Sequence, residues 1–226
     1  MIIPMQNQWS DYYTSTFFTS LGQTLLMVAA TLLIGGILGL LLGITLYGTR
    51  PGGIIANRGV YWVLSVIVNI VRPIPFIIFI TAMMQVTLLV MGSYIGTIPA
   101  IFPMVIVCTM ATSRLVEQSL IATDPSIVEA GRAMGASRAH ILFRILIPEA
   151  LAPLILGYTF LFVGVLDLSA MAGAVSGGGL GQFAISDGYH RFNNYVTIVA
   201  VITMIILVQC VQLIGNALAR RVLRHR

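Results

Sequence analysis

The sequence predicts an all-α polytopic membrane protein with five transmembrane helices, an external N-terminus and a cytoplasmic C-terminus. Composition is the first reason: 58% of the 226 residues are hydrophobic and 8% are charged, whereas about 25% of the residues of a soluble domain are charged. The second reason is the presence of five apolar stretches long enough to cross a bilayer. The third is the clustering of arginines on one set of the connecting segments.

The positions of the spans follow from the length of helix that the hydrocarbon core requires, about 20 apolar residues for roughly 30 Å. The predicted spans cover about residues 17–47, 60–91, 98–122, 150–170 and 195–217. The first is longer than a simple crossing requires, which predicts tilting, and it ends at the turn-forming run GTRPGG. Within the second span, Pro73 and Pro75 each remove a backbone donor, which predicts a kink.

Orientation follows from the arginines, because cytoplasmic segments of membrane proteins are enriched in positive charge. All 12 basic residues are Arg. Arg191 lies on one predicted face and Arg72 inside a span, and the others mark the opposite face. Residues 1–16 are therefore predicted to be external, and the loop 123–148 and the basic tail 219–226 to be cytoplasmic. The arginines assigned to the cytoplasmic side are Arg50, Arg58, Arg114, Arg132, Arg138, Arg144, Arg220, Arg221, Arg224 and Arg226.

The first span carries a ridge of small residues. Gly35, Gly39 and Gly43 recur every four residues, which places them on one face of a helix and allows another backbone to approach closely. The ridge fits packing within the chain, and it also fits a contact between two copies.

Several functions are excluded or disfavoured by residue usage. The absence of Lys excludes a Walker A loop and a pyridoxal Schiff base. Cys108 and Cys210 lie far apart in apolar segments, and the three histidines have no metal-ligand spacing, so we expect no metal and no cofactor in this chain. Arginines beside apolar spans are explained by topology, and nucleic acid is not an expected partner.

The loop between the third and fourth spans contains an amphipathic stretch, VEAGRAMGASRAHILFRILIPEA. Asp124 is suited to cap a helix whose first residue is Pro125. Gly135 is suited to end that helix, and a second helix is predicted from Ser137 to about Pro148. A helix this short is marginal in water and needs a docking surface. The stretch is either a plain connector or an element that couples the membrane helices to a cytoplasmic partner.

This stretch resembles the EAA loop of permeases of ATP-binding-cassette importers. The family pattern is Glu-Ala-Ala, three residues, Gly, nine residues, and then Ile-x-Leu-Pro. The sequence keeps the full spacing and departs from the pattern at two positions: it has Gly131 where the pattern has Ala, and Ile147 where the pattern has Leu. The resemblance implies docking on separate ATPase subunits, which bind the ATP and Mg. It assigns this coupling role to Glu129, Ala130, Gly131, Gly135, Ile145 and Pro148.

Further segments resemble the permease subunit of the methionine-uptake family, in the order TRPGGIIANRGVY, IVNIVRPIPFIIFI, LIPEAL and SAMAGAVSGGGLGQ. This resemblance implies a homodimer in the bacterial inner membrane, with the pathway at or near the subunit interface. It also implies two copies of a cytoplasmic ATPase and an external lipoprotein that delivers methionine. The chain itself is then not an enzyme. An importer of the same architecture for another amino acid or small solute is the alternative.

The sequence also contains candidate pathway residues. The run SGGGLG, residues 176–181, is expected to form an external or re-entrant segment near the outer mouth, or a plain external loop. Asp167 is the only acid assigned to a span, facing either an aqueous cavity or the interface. Three placements are open for Arg72: its side chain lines the inner mouth of the pathway, it pairs with a backbone carbonyl freed by a proline, or it extends to the cytoplasmic lipid headgroups. The candidates are Arg72, Pro75, Ser169, Met171, Gly177, Gly178 and Gly179.

Two other classes of function fit the sequence poorly. An intramembrane hydrolase would need a nucleophile motif, but the residue two positions before Ser176 is Ala174 and not Gly. It would alternatively need two acids within the membrane, and Asp187 is placed in a loop. A membrane scaffold without transport would explain the spans and the basic tail, but not the spacing of the EAA-like loop.

Overall fold

The computed structural model describes residues 11–175 and 177–224, and all regular elements in these residues are helical. Two stretches have π-helical geometry, π1 (Ile141–Leu146) and π2 (Phe183–Tyr189). The α-helices are α1 (Asp11–Thr49), α2 (Arg58–Val71), α3 (Phe76–Ala82), α4 (Met84–Met91), α5 (Thr97–Ile121), α6 (Pro125–Ala133), α7 (Arg138–His140), α8 (Ile147–Glu149), α9 (Leu151–Ala174), α10 (Gly179–Gln182) and α11 (Asn194–Arg224).

Four of these helices, α1, α5, α9 and α11, are each long and apolar enough to cross a membrane. The predicted second span is broken: α2 and α3 pass the same test only as a pair, bent by 104°. The break falls between Val71 and Phe76, where the sequence carries Pro73 and Pro75. The prolines thus mark the position of the break, and the predicted kink takes the form of a full interruption of the helix.

The first and last long helices extend beyond the predicted spans. Residues 11–16, predicted as part of an external segment, already belong to α1. The tail predicted from residue 219 is helical as far as Arg224, because α11 continues past the apolar stretch. Residues 1–10 and 225–226 lie outside the described residues.

The chain divides into two compact units, and the long helices contribute residues to both. Unit 1 contains the described residues up to Ile34, together with Ile74–Ile106 and Phe162–Val211. Unit 2 contains Gly35–Pro73, Val107–Leu161 and the described residues from Gln212 onwards.

In unit 2, α1 and α5 approach each other at glycines. A Cβ added to Gly39 would lie 2.4 Å from Cβ of Thr112, and one added to Gly43 would lie 2.5 Å from the carbonyl oxygen of Ser113. No larger side chain fits without moving a backbone. At these two positions the predicted glycine ridge packs within the chain.

The fourth span, α9, completes the core of unit 2. The Tyr158 hydroxyl donates a 2.8 Å hydrogen bond to the carbonyl oxygen of Gly36 in α1. Gly157 packs against Leu115 of α5, since a Cβ there would meet its side chain at 2.5 Å. The apolar core of this unit is formed by Tyr47, Ile54, Val116, Leu120, Ile141, Leu142, Leu146, Ala150 and Leu154.

We expect Gly39→Ala to destabilise the protein, because the new methyl group would overlap Thr112 and the carbonyl oxygen of Thr109. Overpacking of this kind costs about 1–3 kcal/mol, and each kcal/mol corresponds to roughly 2–4 °C in the unfolding midpoint. Gly22→Ala on the same helix is the matched control, since its Cβ meets nothing within 4 Å. The measurement is thermal unfolding of the purified protein in detergent, and equal midpoints for the two variants would contradict the packing assignment.

Candidate functional site

The amphipathic stretch folds as the sequence predicts at its N-terminal end. We call residues 123–148 the coupling segment. Asp124 caps α6: its carboxylate accepts a 2.9 Å hydrogen bond from the Ser126 backbone N–H, and Pro125 occupies the first helical position. That backbone hydrogen bond to the carboxylate lowers the pKa of Asp124. The cap therefore contributes to stability at neutral pH, and the contribution is lost as pH falls through this lowered pKa.

The end of α6 depends on a left-handed glycine. Gly135 has φ +74°, a conformation that residues with a Cβ rarely adopt. The turn is closed by a hydrogen bond from the Ala136 N–H to the carbonyl oxygen of Gly131, at 3.0 Å. A Cβ on Gly135 would meet nothing within 4 Å, so the backbone angle, and not space, requires glycine here.

One face of α6 packs onto π1. Gly131 is buried, and a Cβ at this position would lie 3.2 Å from both Ile141 Cγ1 and Ile145 Cδ1. Val128 and Ile145 pack against the core of unit 2. Gly131, which stands where the EAA pattern has Ala, thus lies where α6 packs against the helix that follows it.

The opposite face of α6 is exposed. It presents Glu129, Ala130 and Ala133, and Met134 at its end is 77% exposed. Pro148 at the far end of the coupling segment is also exposed. The segment therefore combines a buried apolar underside with an exposed surface that carries the Glu129 carboxylate, small or apolar side chains and the Arg132 guanidinium.

The sequence interpretation missed a buried polar cluster on α5. Glu117 is 3% exposed within the span and forms an ion pair with Arg114 one helical turn away. The Arg114 guanidinium also donates to the Asn69 side-chain oxygen on α2, at 2.9 Å. Asp167 was expected to be the only acid in a span, and this expectation is wrong, because Glu117 also lies within α5. The three-residue spacing of Arg114 and Glu117 was the available signal.

In unit 1, the glycine-rich run is held by α1. Gly178 and Gly179 have φ +82° and +78°. The Gly179 N–H donates to the Gln23 side-chain oxygen and the Leu180 N–H to the Thr24 hydroxyl, each at 2.8 Å. Ser176 lies outside the described residues.

The end of the glycine-rich run and the residues after it are helical and do not form a plain loop. Residues 179–189 form α10 and π2, and Leu180 and Phe183 are fully buried. The helical segment includes Asp187, which the sequence interpretation placed in a loop. Asp187 is 8% exposed, and its carboxylate lies 3.6 Å from the Arg191 guanidinium.

The remaining candidate pathway residues have different environments. Arg72 and Pro75 are exposed at the break between α2 and α3. Ser169 is 1% exposed, and its hydroxyl donates to the carbonyl oxygen of Leu166 at 2.6 Å. Its side chain is therefore buried within the protein and hydrogen-bonded to its own helix. Met171 is 37% exposed, and Asp167 on the same helix is exposed as well. In the described ranges, no group of three His, Cys, Asp or Glu residues is arranged to hold a metal.

Several long apolar helices, with a capped amphipathic segment between α5 and α9, are typical of a multi-pass membrane protein. The model of the family "binding-protein-dependent transport system inner membrane component" matches residues 35–224. The chain belongs to this family, and it is an inner-membrane protein.

Relatives of similar length carry transport names. A probable D-methionine transport system permease protein of Vibrio cholerae is 40% identical over 215 residues, which cover 95% of this chain and 96% of the relative. The methionine import system permease protein of Bacillus subtilis is 37% identical over 171 residues, 76% of this chain and 77% of the relative.

A solved structure shares the fold over nearly the whole chain. A chain of the MetNI methionine ABC transporter, in an inward-facing conformation, superposes with a TM-score of 0.92 at 37% identity, covering 95% of this chain and 99% of that one. An amino acid ABC transporter chain at 19% identity has a TM-score of 0.78 and shares the fold.

We expect Gly135→Ala to loosen the coupling segment, because a left-handed residue with a Cβ costs about 1–2 kcal/mol. Gly48→Ala is the control, since its Cβ also meets nothing within 4 Å but its φ is not positive. The readout is the rate of trypsin cleavage after Arg132 and Arg138, followed by mass spectrometry. Gly135→Ala should raise this rate about 5- to 30-fold. Unchanged cleavage would show that the turn tolerates a side chain.

Removing one partner of the buried pair on α5 should be more harmful than removing both. Arg114→Met or Glu117→Leu alone leaves an uncompensated charge, at a cost of about 3–5 kcal/mol, whereas an apolar replacement of the whole pair is often close to neutral. We therefore expect the double variant to unfold at a higher temperature than either single variant. Additive losses in the double variant would argue against the pairing.

Proposed function

We propose that this chain is the permease subunit of an ATP-driven importer of methionine. The observation that carries the proposal is similarity along nearly the whole chain to methionine permeases, combined with a capped coupling segment. The chain performs no covalent chemistry in this proposal. A separate cytoplasmic ATPase binds ATP and Mg and supplies the energy, and an external lipoprotein delivers the substrate.

Coupling to the ATPase depends on the two faces of α6. The exposed face, with Glu129, Ala130 and Met134, docks on the ATPase, where a carboxylate adds electrostatic specificity. The buried face rests through Gly131 on Ile141 and Ile145. Because close-packed side chains transmit displacement, a movement of α6 is passed to the core of unit 2.

Homodimerisation is supported by the exposed face of α9. Asp167 is exposed there in line with Gly164 and Met171, three residues before and four residues after it. A charged side chain facing lipid costs at least about 2.5–3.5 kcal/mol at the bilayer centre, so such residues face a bundle interior or an aqueous cavity. A second copy on this face places Asp167 beside a water-filled pathway.

The proposed topology counts α2 and α3 as one broken span, which gives five spans in a single transmembrane domain over residues 17–218. The N-terminus is external, and the coupling segment and the C-terminal end of α11 are cytoplasmic. Arg132 and Arg138 in the coupling segment and Arg220 and Arg221 in α11 are exposed, which agrees with the positive-inside rule.

Charge reversal on the docking face tests this proposal. Glu129→Lys should leave the chain in the membrane and reduce ATP-dependent methionine uptake by at least about tenfold. In this proposal docking buries Glu129 in a charge pair with the ATPase, and loss of one partner of such a pair costs about 2–5 kcal/mol. The measurement is the initial rate of labelled methionine uptake, normalised to permease abundance in the membrane.

The control is Arg220→Glu, a charge reversal of an exposed residue on α11. It should retain most of the uptake. Normal uptake by Glu129→Lys would remove α6 as the docking element, and absence of methionine uptake by the wild-type complex would contradict the assigned substrate.

A further inference from the structure

Unit 1 contains a cavity with several polar side chains in its wall, and the coupling mechanism does not use it. Its volume is about 470 Å³, within the range of small-molecule sites. Its wall combines one face of α1, the turn before α5, and the segment from Gly178 to Asp187.

One part of this wall accepts hydrogen bonds and does not donate them. The hydroxyls of Ser15 and Thr16 both donate to the backbone carbonyl oxygen of Tyr12. The hydroxyl of Thr19 donates to the backbone carbonyl oxygen of Ser15, and all three distances are 2.8–3.0 Å. A hydroxyl has a single proton. These three side chains therefore have only lone pairs left for a ligand in the cavity.

Asp187 adds a negative charge to the same wall. Its side chain is 12% exposed, and Arg191 lies 3.6 Å away with a side chain that is 56% exposed. This distance is too long for a strong charge-assisted hydrogen bond. Because a buried charge is costly unless it is paired, a cationic group bound in the cavity would stabilise this carboxylate.

Another part of the wall offers hydrogen-bond donors. The side-chain oxygen of Gln23 accepts from the Gly179 N–H, and that of Gln182 accepts from the Gly178 N–H at 3.1 Å. An amide whose oxygen is engaged in this way has its NH₂ group as the free end. Gln23 and Gln182, which both line the cavity, thus supply donors suited to a carboxylate.

The glycines maintain this arrangement. A Cβ on Gly178 would lie 2.7 Å from Oε1 of Gln23, and a Cβ on Gly179 would lie 2.6 Å from the Thr24 hydroxyl oxygen. A larger residue at either position would push α1 side chains out of place. The positive φ of both glycines makes such a residue strained as well.

We propose that this cavity binds the zwitterionic part of an α-amino acid. The ammonium group is held by Asp187 and the hydroxyl oxygens of α1, and the carboxylate by the amides of Gln23 and Gln182. This inference rests on the proposed importer function, because it assigns a substrate-binding site within that permease. Recognition is directed at the charged groups common to all amino acids, so the cavity itself selects weakly among their side chains.

The experiment measures binding to the purified full-length protein by titration calorimetry, with three probes. L-methionine carries both charged groups, methionine methyl ester keeps the ammonium, and 4-(methylthio)butanoate keeps the carboxylate. We expect methionine to bind most tightly, the ester more weakly, and the butanoate at least about tenfold more weakly than methionine, since hydrogen bonds to charged groups are the strong ones. Equal affinities for methionine and the butanoate, or no binding of methionine, would overturn the proposal.

Variants separate a binding role from a structural one. Asp187→Asn should weaken methionine binding about 10- to 100-fold, whereas Arg191→Gln should not weaken it, because it keeps the carboxylate and removes its competing partner. Equal losses in both variants would mean that only the ion pair matters. Thr19→Val, on an exposed position of α1, should weaken binding several-fold without affecting folding, and unchanged binding there would contradict the acceptor wall.

Uptake distinguishes this inference from the proposed function. If the wild type imports methionine and Asp187→Asn imports it at the same rate and apparent KM, the site assignment is wrong while the importer function stands. If the wild type imports no methionine, the proposed function fails, whatever the binding titrations give.

Discussion

The close contact of α1 with α5 at Gly39 and Gly43 is the constraint on which unit 2 depends. It leaves no room for a Cβ on either glycine, and it lies in the same unit as the hydrogen bond from Tyr158 to Gly36. The apolar core of this unit includes Ile141 and Leu146 of the coupling segment. The position of α6, and with it the exposed Glu129, is therefore set by packing that begins between two membrane helices.

The few charges of this apolar chain have distinct roles. Glu117 is neutralised by Arg114 and joins α5 to α2, which is a structural task. Glu129 and Asp167 are exposed, and exposure of a carboxylate on a membrane protein points to water or a partner. Asp187 is buried beside the cavity of unit 1 with only a loose ion pair. Burial and pairing thus distinguish Glu117, which has a close partner, from the acids for which we propose functional roles.

The sequence predicts those features that depend on local chemistry. The cap at Asp124, the stop at Gly135 and the break near Pro73 follow from side-chain hydrogen bonding and backbone geometry within a few residues, and the structure has all three. Features that depend on distant residues were missed. The support of Gly179 by Gln23 joins residues 156 positions apart, and the contact of Arg114 with Asn69 spans 45. No periodicity or spacing within either segment reports such a partner.

The most direct test of the central claim, that α6 docks on an ATPase, is site-specific cross-linking in native membranes. Met134→Cys would be introduced together with Cys210→Ser, because the exposed Cys210 would otherwise react as well. A short thiol-to-amine cross-linker would then be applied, and the cross-linked peptides identified by mass spectrometry. The account predicts cross-linked peptides from an ABC ATPase subunit at Met134→Cys and none at His190→Cys, an exposed position on the face proposed as external. An absence of ATPase peptides at Met134→Cys, or equal yields at both positions, would contradict it.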